Sequence, residues 1–125
     1  MEQRYLIDTN VIIDAQIGKI PKAGMDFLTN VFNASFNVSF VSYIEFMGYK
    51  DIKPQSEVFI SMATIIEINK SIIDTCIVLR KVKRIKLPDA IIAATAICNN
   101  LIIVSHNTKD FANIESLQII DPYNF

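Results

Sequence analysis

Arg4-Tyr5-Leu6-Ile7-Asp8-Thr9-Asn10-Val11 is the stretch from which the fold of this chain is read. Tyr5-Leu6-Ile7 is a short apolar strand with Arg4 at its outer end. Asp8-Thr9-Asn10 breaks the run, and Val11-Ile12-Ile13 opens a new element. A carboxylate at the end of a buried strand, followed at once by Thr and Asn, is a helix-start signal and also a position from which a metal ion is held.

Working outward, Val11 to Ala15 predicts a short helix ending near Gly18, and Pro21 the start of a second. Phe27, Leu28, Val31 and Phe32 give that second helix an apolar face. Asn33 to Asn37 reads as a loop and Val38-Ser39-Phe40-Val41 as a strand. Ser42 and Glu45 are spaced as a capping box, predicting a helix to about Tyr49. Asp51 to Ser56 is a loop, Val58 to Met62 a short helix and Ala63 to Ile66 a strand. Asn69 or Ser71 caps a long helix that ends in Arg80-Lys81-Val82-Lys83-Arg84. Leu87-Pro88-Asp89 starts another, with proline where a missing N–H costs nothing. Its small apolar side chains predict a central, buried position. Leu101 to Val104 is a continuous apolar strand, Ser105 to Phe111 a loop, and Leu117 to Ile120 a last strand. Strands alternate with helices from end to end, which predicts one α/β domain over residues 1–125 with a mostly parallel sheet of four to five strands.

Composition excludes several classes. At 125 residues the chain suits one domain. Its 51% hydrophobic content predicts a generous core or an apolar surface covered by a partner. A net charge of −1 gives no global polyanion-binding signature, so any nucleic-acid role must rest on a local patch. Cys76 and Cys98 lie in helix-like runs and read as two buried thiols. No signal peptide is expected at the N-terminus, and no apolar run reaches the ~18–20 residues of a membrane span. A soluble, cytoplasmic protein is therefore expected. The three glycines form no phosphate-cradling loop.

Three acids carry the functional reading. Asp8 alone could cap a helix, Glu45 complete its capping box, and Asp89 complement a helix dipole. Together, Asp8, Glu45 and Asp89 each sit at a strand's carboxyl end or in a helix's first turn, positions that converge on one edge of a parallel sheet. Two carboxylates about 4 Å apart repel by roughly 4 kcal/mol at an effective dielectric near 20. Either one is protonated or a divalent cation joins them. Oxygen-only donors favour Mg²⁺ or Mn²⁺ over zinc, since His106 and the two cysteines make no obvious nitrogen–sulfur set.

Asp8-Thr9-Asn10 after one strand, Ser42-x-x-Glu45 after the next, Leu87-Pro88-Asp89-Ala90-x-x-Ala93-Ala94-Thr95-Ala96, and Val104-Ser105-His106-Asn107-x-x-Asp110-Phe111 appear in this order over nearly the whole chain. The ordered set resembles the PIN-domain family, and within it the VapC-like toxins of prokaryotic toxin–antitoxin pairs. The resemblance implies a three-layer α/β/α fold and a Mg²⁺- or Mn²⁺-dependent endoribonuclease with an RNA substrate, a small antitoxin partner and a homodimeric state. It implies Asp8, Glu45 and Asp89 as metal ligands, with Thr9 and Asn10 orienting Asp8 or a bound water, and Ser42 a polar neighbour of Glu45. The fourth acidic position falls by spacing on Asn107, with Asp110 one helical turn away as the alternative. An amide cannot neutralise a cation, so one tight ion is expected in the free protein.

Lys83, Arg84 and Lys86 belong to a basic run that could meet RNA phosphates or simply suit a helix end. His106 reads as an incidental loop residue. Phe27, Phe32, Phe36, Phe40, Phe46 and Tyr49 read as core and interface; a groove near Phe46, Met47 and Tyr49 is the expected antitoxin seat, with a charge at Phe46 expected to release inhibition. Two rival readings stand beside the nuclease: a PIN-fold binding module without catalysis, and a phosphoacceptor or phosphatase domain using Asp8 as nucleophile. The phosphatase form expects a second Asp where Asn10 stands.

Overall fold

The sequence encodes a short strand, β1 (Tyr5–Ile7), that becomes the middle of a five-stranded parallel sheet in a computed structural model describing residues 3–125. The other strands are β2 (Asn37–Ser39), β3 (Thr64–Ile66), β4 (Ile102–Val104) and β5 (Ile119–Ile120), in the order β3-β2-β1-β4-β5. Every pairing is parallel, so the "mostly parallel" expectation is met in full. β1 and β4 run in register, Tyr5 opposite Ile102 and Ile7 opposite Val104.

Side-chain alternation along the strands builds two cores. Ile7, Val38 and Val104 face one side, where they meet α1 (Thr9–Gln16), α2 (Lys22–Ala34), α3 (Phe40–Met47) and α4 (Pro54–Ile60) through Val11, Leu28, Phe46 and Ile60. Leu6 and Ile103 face the other, against α5 (Lys70–Val82) and α6 (Leu87–Asn99). The result is three layers, helices on both faces of the sheet. As its composition predicts, α6 is buried, with Ala90, Ala93, Ala94 and Ala96 letting it lie close to the sheet. Asn100 ends it in a left-handed conformation (φ 55°), which an asparagine tolerates.

Several boundaries differ from the sequence expectations. α2 runs on to Ala34, and Asn37 belongs to β2, where its side-chain amide donates to the Tyr5 carbonyl at 3.0 Å. β2 stops at Ser39, and Phe40 and Val41 are helical. Ser39, not Ser42, caps α3: its hydroxyl accepts from the Ser42 N–H at 3.1 Å. The capping box at Ser42 and Glu45 is therefore incorrect. One polar cap placed two residues into an apparent strand outweighs the β-branched and aromatic pattern around it. Cys98 is exposed, with its Sγ 3.3 Å from the Thr75 hydroxyl; only Cys76 is a buried thiol. Among the described residues no helix is long and apolar enough to cross a membrane.

Candidate metal centre

The sheet order places a topological switch point between β1 and β4: the chain moves from β1 to β2 and β3 on one side, then returns to β4 and β5 on the other. The crevice beyond the carboxyl ends of such strands is where parallel sheets bind ligands. Asp8 leaves β1 there, and its backbone N–H still pairs with the Val104 carbonyl at 3.0 Å. Its carboxylate is held from two sides. Oδ1 accepts from the Thr9 N–H at 2.9 Å and Oδ2 from the Ser105 hydroxyl at 2.8 Å. The ordinary cap acceptor role, toward the second or third helical N–H, is not the one Asp8 plays. Asp8 is only 8% exposed.

Ser105 is the site residue that inspection of the acids misses. Its hydroxyl donates to Asp8 and accepts from the Asn107 N–H at 3.0 Å, joining the β4 loop to the acid. The signal available was a serine ending a strand that is otherwise all apolar.

Glu45 projects from α3 and Asp89 from the first turn of α6. Burial pushes the Asp8 carboxyl up, and Asp110 pushes it further, against the lowering effect of Ser105 and Thr9. Glu45 is raised by burial, then by Asp8 and Asp89. Asp89 is raised by burial, then by Asp110 and Asp8, with Lys86 acting weakly the other way. These cross-influences bring Asp8, Glu45, Asp89 and Asp110 into one electrostatic neighbourhood. None of the ion pairs among the described residues includes any of them.

Asp110 lies in a 3-10 turn, Thr108–Phe111, and Asn107 precedes that turn without using its side chain as a cap. Of the two alternatives for the fourth position, Asp110 is the one whose charge reaches both Asp8 and Asp89. Thr9 does not orient Asp8 through its hydroxyl: Oγ1 donates to the Ser42 carbonyl at 3.0 Å, tying α1 to α3. Ser42, one turn before Glu45 on α3, is buried and accepts a 3.2 Å bond from the Ser39 hydroxyl. Asn10 carries a buried Oδ1 with no partner among the described residues. An orphaned acceptor two residues after Asp8 suits a cation or a cation-bound water better than a packed core.

The donor set is all oxygen, which matches a hard divalent cation. Among the described residues no three His, Cys, Asp or Glu side chains stand close enough to form a ready cage. Such an open set suits Mg²⁺, which keeps several of its waters and can be reached by some of the acids through them.

Lys83 follows the end of α5, Arg84 is exposed, and Lys86 immediately precedes α6, three residues before Asp89. Of the three, Lys86 is the one whose charge is felt by a site acid. His106 is paired with an acid outside the group, its Nδ1 3.1 Å from both carboxylate oxygens of Asp121. Phe46 is 3% exposed and belongs to the core, so a charge there would disrupt folding before it reported on a partner. A groove of about 550 Å³ does lie beside it, lined by Ile13, Ile17, Phe46, Tyr49 and Ile52 among others, with Ile17 and Tyr49 largely exposed.

No family model matches the chain, and no curated protein matches it either. Solved structures do. A chain of a toxin–antitoxin complex from Klebsiella pneumoniae is 30% identical, with a TM-score of 0.77 over 97% of this chain and 99% of that one. VapBC-1 from nontypeable Haemophilus influenzae matches at 26% identity and TM-score 0.76, over 96% of this chain and 98% of that one. VapBC2 from Rickettsia felis, bound to a DNA fragment from its promoter, matches at 25% and 0.75, over 94% and 98%. With matching fold, near-complete coverage and this level of identity, the chain belongs to the PIN-domain family, in its VapC-like branch.

Proposed function

We propose that this protein is a Mg²⁺- or Mn²⁺-dependent endoribonuclease and the toxin of a toxin–antitoxin pair. Asp8, Glu45 and Asp89 hold the cation, and Asp110 beside Asn107 completes the anionic rim. The observation that carries this reading is that Asp8, Glu45 and Asp89 are each raised in proton affinity, by burial first and then by neighbouring acids, Asp110 among those neighbours, with no cationic side chain paired to any of the four among the described residues. A purely structural group of acids would be paired, as Asp26 and Asp74 are with Lys22 and Lys70.

When bound, the cation supplies positive charge to a phosphodiester and eases deprotonation of an attacking water. The protein's own part is positional. Ser105 and the Thr9 N–H each hold one oxygen of Asp8, fixing the orientation in which its carboxylate meets a ligand. Thr9, through the Ser42 carbonyl, sets α3 and hence Glu45 relative to Asp8. Lys86, with Lys83 and Arg84, draws the RNA backbone toward Asp89, a contribution that weakens with salt. The groove beside Ile17 and Tyr49 is the seat of an apolar antitoxin segment. The exposed Ile73, Ile77 and Val78 of α5 offer an apolar face to a second copy.

The test is cleavage of single-stranded and structured RNA by antitoxin-free protein and by Asp8→Asn, each with Mg²⁺, with Mn²⁺ and with EDTA. Metal-dependent cleavage lost in Asp8→Asn is expected. Folded protein that cleaves in no condition would favour the non-catalytic binding module, and EDTA-resistant cleavage would contradict the metal.

A further inference from the structure

Four side chains outside the crevice form a connected group that the cleavage reading does not use. Tyr123, in the 3-10 turn Pro122–Asn124, donates its hydroxyl to Asp14 Oδ2 at 2.6 Å. Its ring lies against the His106 imidazole, centroids 4.0 Å apart and planes 35° apart. His106 pairs in turn with Asp121, whose Oδ1 also accepts from the Tyr123 N–H at 2.9 Å. The turn is pressed onto α2: a Cβ at Gly24 would stand 1.8 Å from the Pro122 carbonyl oxygen.

What Tyr123 joins is informative. Asp14 lies on α1, the helix that begins immediately after Asp8. His106 follows Ser105, whose hydroxyl holds Asp8 and the Asn107 N–H. Tyr123 thus spans the two elements that bracket Asp8. The Asp14 carboxylate accepting its proton, helped by burial, pushes the phenol up to about 12, so it stays a donor throughout the neutral range.

We propose that Tyr123, held between Asp14 and the His106–Asp121 pair, is a positioning residue that sets the width of the β1/β4 crevice and thereby its affinity for a divalent cation. This rests on the metal-site reading above, and the experiment separates the two. A tail that needed only tethering already has other anchors, the close approach to Gly24 and the packing of Phe125 on Phe27 at 4.8 Å. Neither of those touches the crevice.

Full-length Tyr123→Phe keeps the ring and loses the tie to Asp14. His106→Phe keeps an aromatic partner for Tyr123 and loses Asp121. Phe125→Ala loosens the tail without touching the bridge. Mn²⁺ alone would be titrated into each by calorimetry, below the melting temperature of all. Amide hydrogen exchange of residues 105–110 would be followed without metal. Roughly tenfold weaker Mn²⁺ binding is expected for the first two, the low end of what partners behind a ligand are worth. Faster exchange at 105–110 should accompany it, with Phe125→Ala unchanged in both. Unaltered Mn²⁺ affinity in Tyr123→Phe and His106→Phe, or an equal loss in Phe125→Ala, would overturn the proposal. Should the unsubstituted protein bind no Mn²⁺, the metal-site reading fails by itself. Exchange then decides the positioning role, and unchanged rates at 105–110 would overturn it.

Discussion

Two groups of carboxylates lie near the same edge of the sheet and are treated in opposite ways. Asp121 and Asp14 are each matched to donors: His106, the Tyr123 N–H and the Asn124 amide for the first, the Tyr123 hydroxyl for the second. Asp8 also accepts from the Thr9 N–H and the Ser105 hydroxyl, but its charge and those of Glu45 and Asp89 are unmatched: all three are shifted upward, by burial first and then by neighbouring acids. Matched acids fasten the C-terminal turn. Unmatched acids cost stability and are worth keeping only if something arrives to share them. That contrast separates a structural acid from a functional one more sharply than sequence position does.

The contrast can be broken most forcefully at Asp8. Asp8→Asn should lower metal-dependent cleavage by on the order of 10²-fold or more, the scale of losing one preorganised transition-state contact. Retained cleavage would move the chemistry elsewhere. Next, Phe46→Asp should cost about 3–5 kcal/mol or more by removing a core side chain and burying a charge, and circular dichroism should find it unfolded or melting far lower. Ile17→Asp, on the exposed groove wall, should keep its melting temperature and cleavage while losing antitoxin inhibition; undiminished inhibition would place the partner elsewhere.

A smaller effect is expected in the matched group. Asp121→Ala should cost about 1 kcal/mol, a few degrees in Tm, because it removes hydrogen bonds at a half-exposed pair. The unmatched group should show the opposite sign through pH. Asp8, Glu45 and Asp89 titrate higher when folded than their ordinary values of 3.8, 4.5 and 3.8. The unfolded chain therefore releases these protons first as pH rises. Metal-free stability should fall between about pH 4 and the raised folded values, then level off. A melting series in EDTA checks this; stability rising over that window would contradict it. Smallest of all, Lys86→Ala should weaken RNA binding across sequences and reduce the salt slope by roughly one, read by titration at several salt concentrations.

Much of this was legible in the sequence because the strands are short and their ends are polar. Tyr5-Leu6-Ile7 followed by Asp8 gives the first strand, its end and the first acid in four residues. The alternation of elements gives the parallel sheet, and the alanines of α6 give its burial. Less visible was whatever depends on which of two polar residues wins a backbone N–H. Ser39 rather than Ser42 caps α3, so Glu45 lost its structural explanation only when the cap was located. Ser105 bonds a residue 97 positions away, a partnership no local pattern encodes. Spacing left the fourth position between Asn107 and Asp110, and only the 3-10 turn that carries Asp110 lets its charge act on Asp8 and Asp89. His106 read as incidental because its partners, Asp121 and Tyr123, are supplied by the last strand's far end.

The most direct test of the central claim, that the crevice acids stand without a charged partner until a cation binds, is thermal melting at neutral pH of the protein and of Asp8→Asn, in EDTA and in Mn²⁺. Asp8→Asn should melt higher than the unsubstituted protein in EDTA, because a buried charge and its repulsion are gone, and should gain much less from Mn²⁺. An Asp8→Asn protein that melts lower in EDTA and gains as much from Mn²⁺ as the unsubstituted protein would contradict the account.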